Sequence, residues 1–66
     1  MKIRFSKNVI LDQYNPKLDE YWDKSYYRYD ELVVDKTLAV HRGQSDLLLE
    51  NGIVLYNVPN DSFETI

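Results

Sequence analysis

Leu47-Leu48-Leu49-Glu50-Asn51-Gly52-Ile53-Val54-Leu55-Tyr56 is the stretch on which the fold turns. Two runs rich in β-forming side chains flank an Asn-Gly pair. That pair is the strongest short-range mark of a hairpin, because a type I′ turn needs positive φ at both central positions. The spacing predicts a two-residue loop that sets Glu50 opposite Ile53, Leu49 opposite Val54, Leu48 opposite Leu55 and Leu47 opposite Tyr56. One hairpin of this kind is marginal alone, so further strands must cover its apolar face.

Working outward, the chain supplies them. Toward the C-terminus, Val58-Pro59 closes the second hairpin strand. Asn60-Asp61-Ser62 reads as a turn or a single 3₁₀ turn, and Phe63-Glu64-Thr65-Ile66 alternates as a last short strand. Toward the N-terminus, Arg42 to Asp46 is a turn by composition. The segment from Tyr26 through Val40 reads as strand across a polar Asp30-Glu31 break, with Tyr27 and Tyr29 as candidates to pack inward. Met1, Ile3 and Phe5 alternate with Lys2, Arg4 and Ser6, and Val9-Ile10-Leu11 continues the apolar character. Residues 2–11 are therefore predicted as one strand with a bulge near Asn8. The alternation at the start predicts a strand rather than a signal peptide. Between Asp12 and Ser25 the pattern is irregular. Asn15-Pro16 followed by Asp19-Glu20 has the form of a helix start, so a long loop with a short helix over 16–23 is expected there.

Five strands in one domain spanning residues 1–66 suggest a small, nearly closed barrel. The order resembles the SH3-like small barrel, of the kind found in small proteins of Gram-positive bacteria and their phages. The resemblance rests on three features: the long segment Asp12–Ser25 at the place of the first loop, the Asn51-Gly52 hairpin at the place of the distal turn, and the ending Val58-Pro59-Asn60-Asp61-Ser62-Phe63-Glu64-Thr65-Ile66. It implies an all-β fold, a five-stranded barrel with a long first loop. It implies little about function, since such barrels host many unrelated roles. The Leu11-Asp12-Gln13-Tyr14 stretch departs from the tyrosine-rich motif of peptide-binding members. Gln44-Ser45-Asp46-Leu47 lacks the tryptophan that opens their third strand. Proline-rich ligands are therefore not expected.

Composition narrows the function classes. The 66 residues include no cysteine, so there is no disulfide framework or thiolate metal site. The chain is too short for a doubly wound or TIM-barrel enzyme. No apolar run is long enough to span a membrane as a helix, and a cytoplasmic location is expected. The net charge of -3 is unevenly placed: residues 1–11 carry Lys2, Arg4 and Lys7 and no acid, whereas residues 12–35 carry seven acids against three bases. A protein built to grip phosphates is normally basic, so nucleic acid is disfavoured as a partner. His41 is the single histidine and has no nucleophile or paired ligand at a useful spacing. The adjacent acids Asp19-Glu20 and Asp30-Glu31 do not form a dyad across a cleft. No Gly-rich phosphate loop is present. No enzyme activity, catalytic residue, metal or cofactor is expected.

One feature points to function. Tyr14, Tyr21, Trp22, Tyr26, Tyr27 and Tyr29 crowd into a short acidic segment. Tyrosine and tryptophan supply stiff contact area, and carboxylates steer a basic partner. The expected function is a non-catalytic protein-interaction module, in its specific form a small phage- or bacterium-encoded inhibitor of a basic host protein. The partner-binding candidates are Tyr14, Asp19, Glu20, Tyr21, Trp22, Asp23 and Tyr26. The alternatives are a nucleic-acid-binding barrel using Lys2, Arg4 and Lys7, and a structural or assembly subunit, with self-association through a sheet edge as a further expectation.

Overall fold

The computed structural model describes all 66 residues. It is all-β, with one 3₁₀ turn and no α-helix. Seven strands follow one another: β1 (Lys2–Phe5), β2 (Val9–Asn15), β3 (Glu20–Tyr26), β4 (Glu31–His41), β5 (Gln44–Leu49), β6 (Val54–Pro59) and, after the 3₁₀ turn Asn60–Ser62, β7 (Phe63–Thr65). All pairings are antiparallel, in the order β3-β2-β6-β5-β4-β1-β7.

The expected five strands become seven for two local reasons. The first predicted strand, residues 2–11, is two strands meeting at a corner. Ser6 donates its N–H to Ser62 O at 2.8 Å, and Asn8 Oδ1 accepts the Arg28 N–H at 2.8 Å. These bonds turn the chain out of the β1–β7 ladder and into β2. The expected long loop with a helix over 16–23 is instead the β2–β3 hairpin, paired continuously from Val9↔Tyr26 to Asn15↔Glu20. Asn15 Oδ1 does accept the Lys17 N–H at 3.0 Å, as a helix cap would. The same side-chain bond also makes an Asx turn, and Asp19 at φ 51° reverses the chain before a helix can propagate.

The central hairpin is present with a different turn. Leu47 faces Leu55 and Leu48 faces Val54, one residue out of the expected register. Gly52 N–H bonds Leu49 O at 2.9 Å and Leu49 N–H bonds Ile53 O at 2.8 Å, so the loop has three residues, Glu50-Asn51-Gly52. Only Gly52 has positive φ, at 90°. This is a tight turn followed by a glycine bulge rather than type I′. The shift matters, because a one-residue slip exchanges the faces of a strand. As built, Leu47 and Leu55 face each other in the core, and both are fully buried. The two-residue positive-φ turn occurs at Arg42-Gly43 (48° and 76°), between the paired His41 and Gln44.

The sheet is strongly coiled but not closed. Its strand order leaves β3 and β7 as edges, so no ladder completes the expected barrel. Curling brings the far ends together: the Tyr26 ring of β3 stacks on Phe5 of β1 at 5.1 Å. The β3–β4 connection bridges the remaining gap, with Tyr29 N–H donating to Phe5 O and Phe5 N–H to Asp30 O. Ile3, Phe5, Leu11, Tyr26, Val34, Leu47, Leu49, Leu55 and Val58 form one core inside this curl. Tyr27 and Tyr29, expected to pack inward, stand out in solvent. No helix is long and apolar enough to cross a membrane.

Candidate functional site

The register of β3, β2 and β6 assigns each candidate to a face, because directly opposed residues of an antiparallel pair share one. Leu11, Gln13 and Leu55 are buried, so Trp22, opposite Gln13, and Tyr26, opposite Val9, belong to the core side. The outer face carries two rows across three strands. One row is Asp23, Asp12 and Tyr56; the next is Tyr21, Tyr14 and Val54.

The tyrosines of this face form a continuous surface. Tyr14 and Tyr21 have ring centroids 4.4 Å apart, and Tyr21 and Tyr56 lie 6.5 Å apart with planes 24° from parallel. The Tyr14 hydroxyl donates to Asp19 Oδ1 at 2.9 Å. That bond to a carboxylate, with partial burial behind it, raises the Tyr14 pKa above its ordinary value. Asp12 and Asp23 stand directly opposite each other. A shared hydrogen bond and like-charge repulsion from Asp23 push the Asp12 carboxyl up. An open groove of about 550 Å³ runs over this face, with Asp12, Tyr21, Asp23, Tyr56 and Asn57 in its lining, and the inward-alternating Gln13 and Trp22 also border it.

Four of the sequence candidates therefore converge: Tyr14, Asp19, Tyr21 and Asp23. Glu20 and Trp22 project from the opposite face of edge strand β3, and Tyr26 is a core residue whose hydroxyl bonds the buried Gln13 amide oxygen. Burial, then the nearby Asp30 charge, raise the Tyr26 pKa. Sequence reading missed Asp12 and Tyr56. Tyr56 lies far along the chain and joins the cluster only because β6 pairs with β2. Asp12 could have been found from the period-2 relation that sets it beside Tyr14, once 9–15 is read as a strand.

Charge pairing separates this face from the rest of the molecule. The four ion pairs are Lys2–Glu31 (3.3 Å), Arg4–Glu31 (3.1 Å), Lys7–Asp61 (3.2 Å) and His41–Asp46 (3.6 Å). All three bases of the first strand region are thus occupied, and the Arg4 and Lys2 bonds hold the Glu31 carboxyl below its ordinary pKa. None of these pairs involves Asp12, Asp19 or Asp23. No group of three or more histidine, cysteine or carboxylate side chains is placed to hold a metal ion. No protein-family model, no curated protein and no solved structure matches this chain.

Proposed function

We propose that this protein is a non-catalytic interaction module that binds a basic segment of another protein through the outer face of β2, β3 and β6. The observation that carries the reading is the row of Tyr14, Tyr21 and Tyr56 beside two cross-strand aspartates with no cation of their own. Tyrosines give a partner flat contact area at low entropic cost. An arginine or lysine that comes between Asp12 and Asp23 relieves their repulsion, and arginine also stacks on an aromatic ring. In its narrower form the reading is an inhibitor that occupies the basic surface of a host protein. The hairpin around Asn51-Gly52, the 3₁₀ turn after Pro59 and the short β7 support kinship with SH3-like barrels, with the β2–β3 hairpin in place of a long first loop. Nucleic-acid binding is the weaker reading, since Lys2, Arg4 and Lys7 are each committed to a carboxylate.

The test is an NMR titration with an arginine-rich peptide. Amide shifts are expected on residues 12–14, 21–23 and 56–57, and added salt should weaken them. Tyr21→Ala with Tyr56→Ala should weaken binding by about tenfold or more, equivalent to roughly 1.4 kcal/mol. A peptide that leaves this face unperturbed, or binds the double variant as tightly, overturns the reading.

A further inference from the structure

We propose that two copies of this chain pair through β3, antiparallel, about a two-fold axis at Trp22. The sheet order leaves β3 and β7 as its edge strands, and half of β4 is also uncovered; β7 and the β4 half are protected. β7 is only three residues long. β1 covers β4 only at its Glu31 end, and the free half beyond it is bulged twice in its pairing with β5, at Asp35 and at Leu38. Short length, bulges and charged side chains are how sheets avoid edge-to-edge joining. β3 has neither of the first two, and its charges are of both signs, Glu20 and Asp23 against Lys24. Its seven residues pair with β2 without a register shift, it contains no proline, and six of the seven are exposed.

The side chains select one register. A two-fold axis normal to the sheet keeps opposed side chains on one face, so the axis passes through a residue position. Centred on Asp23, the pairing sets Asp23 against its own copy; centred on Lys24, it sets Lys24 against Lys24. Like charges directly opposite destabilise a ladder. Centres nearer the ends pair at most three residues of each β3. Centred on Trp22, Glu20 of each copy faces Lys24 of the other, Tyr21 faces Asp23, and the two Trp22 rings meet. Glu20 and Lys24 take no part in any of the four ion pairs within the chain, and Lys24, whose ammonium lies 5.3 Å over the Tyr26 ring, gains a carboxylate in this register. Trp22 is 38% exposed, which leaves area to bury.

A five-residue seam falls short of the roughly 1,200 Å² of a standard interface, so the dimer should be weak, with Kd on the order of 100 µM. Sedimentation equilibrium, run to about 1 mM protein at low salt, should show a monomer–dimer equilibrium. Amide shifts on concentration should be confined to residues 19–26. Glu20→Lys or Lys24→Glu alone should weaken association about tenfold, and the double exchange E20K/K24E should restore it. These residues are exposed, so the variants should fold. A strict monomer at about 1 mM overturns the proposal, as does association that the single variants leave unchanged or the double exchange fails to restore. Tyr21 and Asp23 belong both to this seam and to the tyrosine face, so the peptide titration is run well below the dimer Kd, while the Glu20 and Lys24 variants, which lie off that face, test the seam alone.

Discussion

Asp12 and Glu31 show how a single cross-strand neighbour decides what a surface carboxylate does for stability. Glu31 faces Arg4 and bonds both Arg4 and Lys2, which lowers its pKa below the ordinary 4.5. Its contribution is fully present above that ordinary value and is lost as pH falls through the lowered one. Asp12 faces Asp23, and its pKa rises above the ordinary 3.8. Folding therefore strengthens proton binding at Asp12. The folded state carries a penalty at neutral pH that is relieved as pH falls through the raised value toward the ordinary one. Asp12→Asn should accordingly raise the urea midpoint at pH 7. Its advantage should shrink as pH drops through that window, where the native carboxyl also becomes neutral. An advantage unchanged with pH would assign the gain to something other than the Asp12–Asp23 charge pair.

At the scale of the element, the β2–β3 hairpin is anchored by one buried polar contact. Gln13 is 2% exposed, and its amide oxygen accepts the Tyr26 hydroxyl. Gln13→Ala should leave that hydroxyl without its partner and cost about 1–3 kcal/mol, whereas Gln13→Leu with Tyr26→Phe should stay close to the wild type; chemical denaturation of the three proteins tests this. The same contact explains why this hairpin was hidden in the sequence. An inward glutamine and an outward tyrosine invert the usual apolar signal on β2. β3, exposed on both faces as an edge, has no alternation to read. Asn15-Pro16 begins a turn with the very hydrogen bond that begins a helix. The β4, β5, β6 and β7 region was legible because Leu47, Leu49, Leu55 and Val58 supply inward-facing bulk between glycine and proline turns. Its exact register was not, because Asn-Gly serves both the two-residue and the three-residue loop. For the candidate site, local crowding of aromatics pointed to the segment that supplies Tyr14 and Tyr21 of the tyrosine face. Only the register separated Tyr14 and Tyr21 from Trp22 and Tyr26, and only the β2–β6 pairing added Tyr56.

Across the whole molecule, an open sheet behaves as one core because its two ends touch. Phe5 is fully buried and stacks on Tyr26. Phe5→Ala should cost about 3–5 kcal/mol. A chain of this length has only about 3–10 kcal/mol in total, so the variant should lose most or all of its cooperative unfolding transition. Val40→Ala, at a position 66% exposed, should change stability by no more than about 0.5 kcal/mol. Comparable losses in the two would refute a core centred on this junction. The placement of β1 also has a kinetic meaning. The β2–β3, β4–β5 and β5–β6 pairs are each joined by a short turn, and such hairpins form in roughly 1–10 µs. β1 instead lies between β4 and β7, partners about half a chain and nearly a whole chain away. Its docking must wait for the largest loops to close, which makes it the slow step of folding. During synthesis, the first made of these seven strands is the last to gain both its neighbours: β4 follows by about half the chain and β7 by nearly all of it, and until they emerge Ile3 and Phe5 have no complete sheet to be buried in.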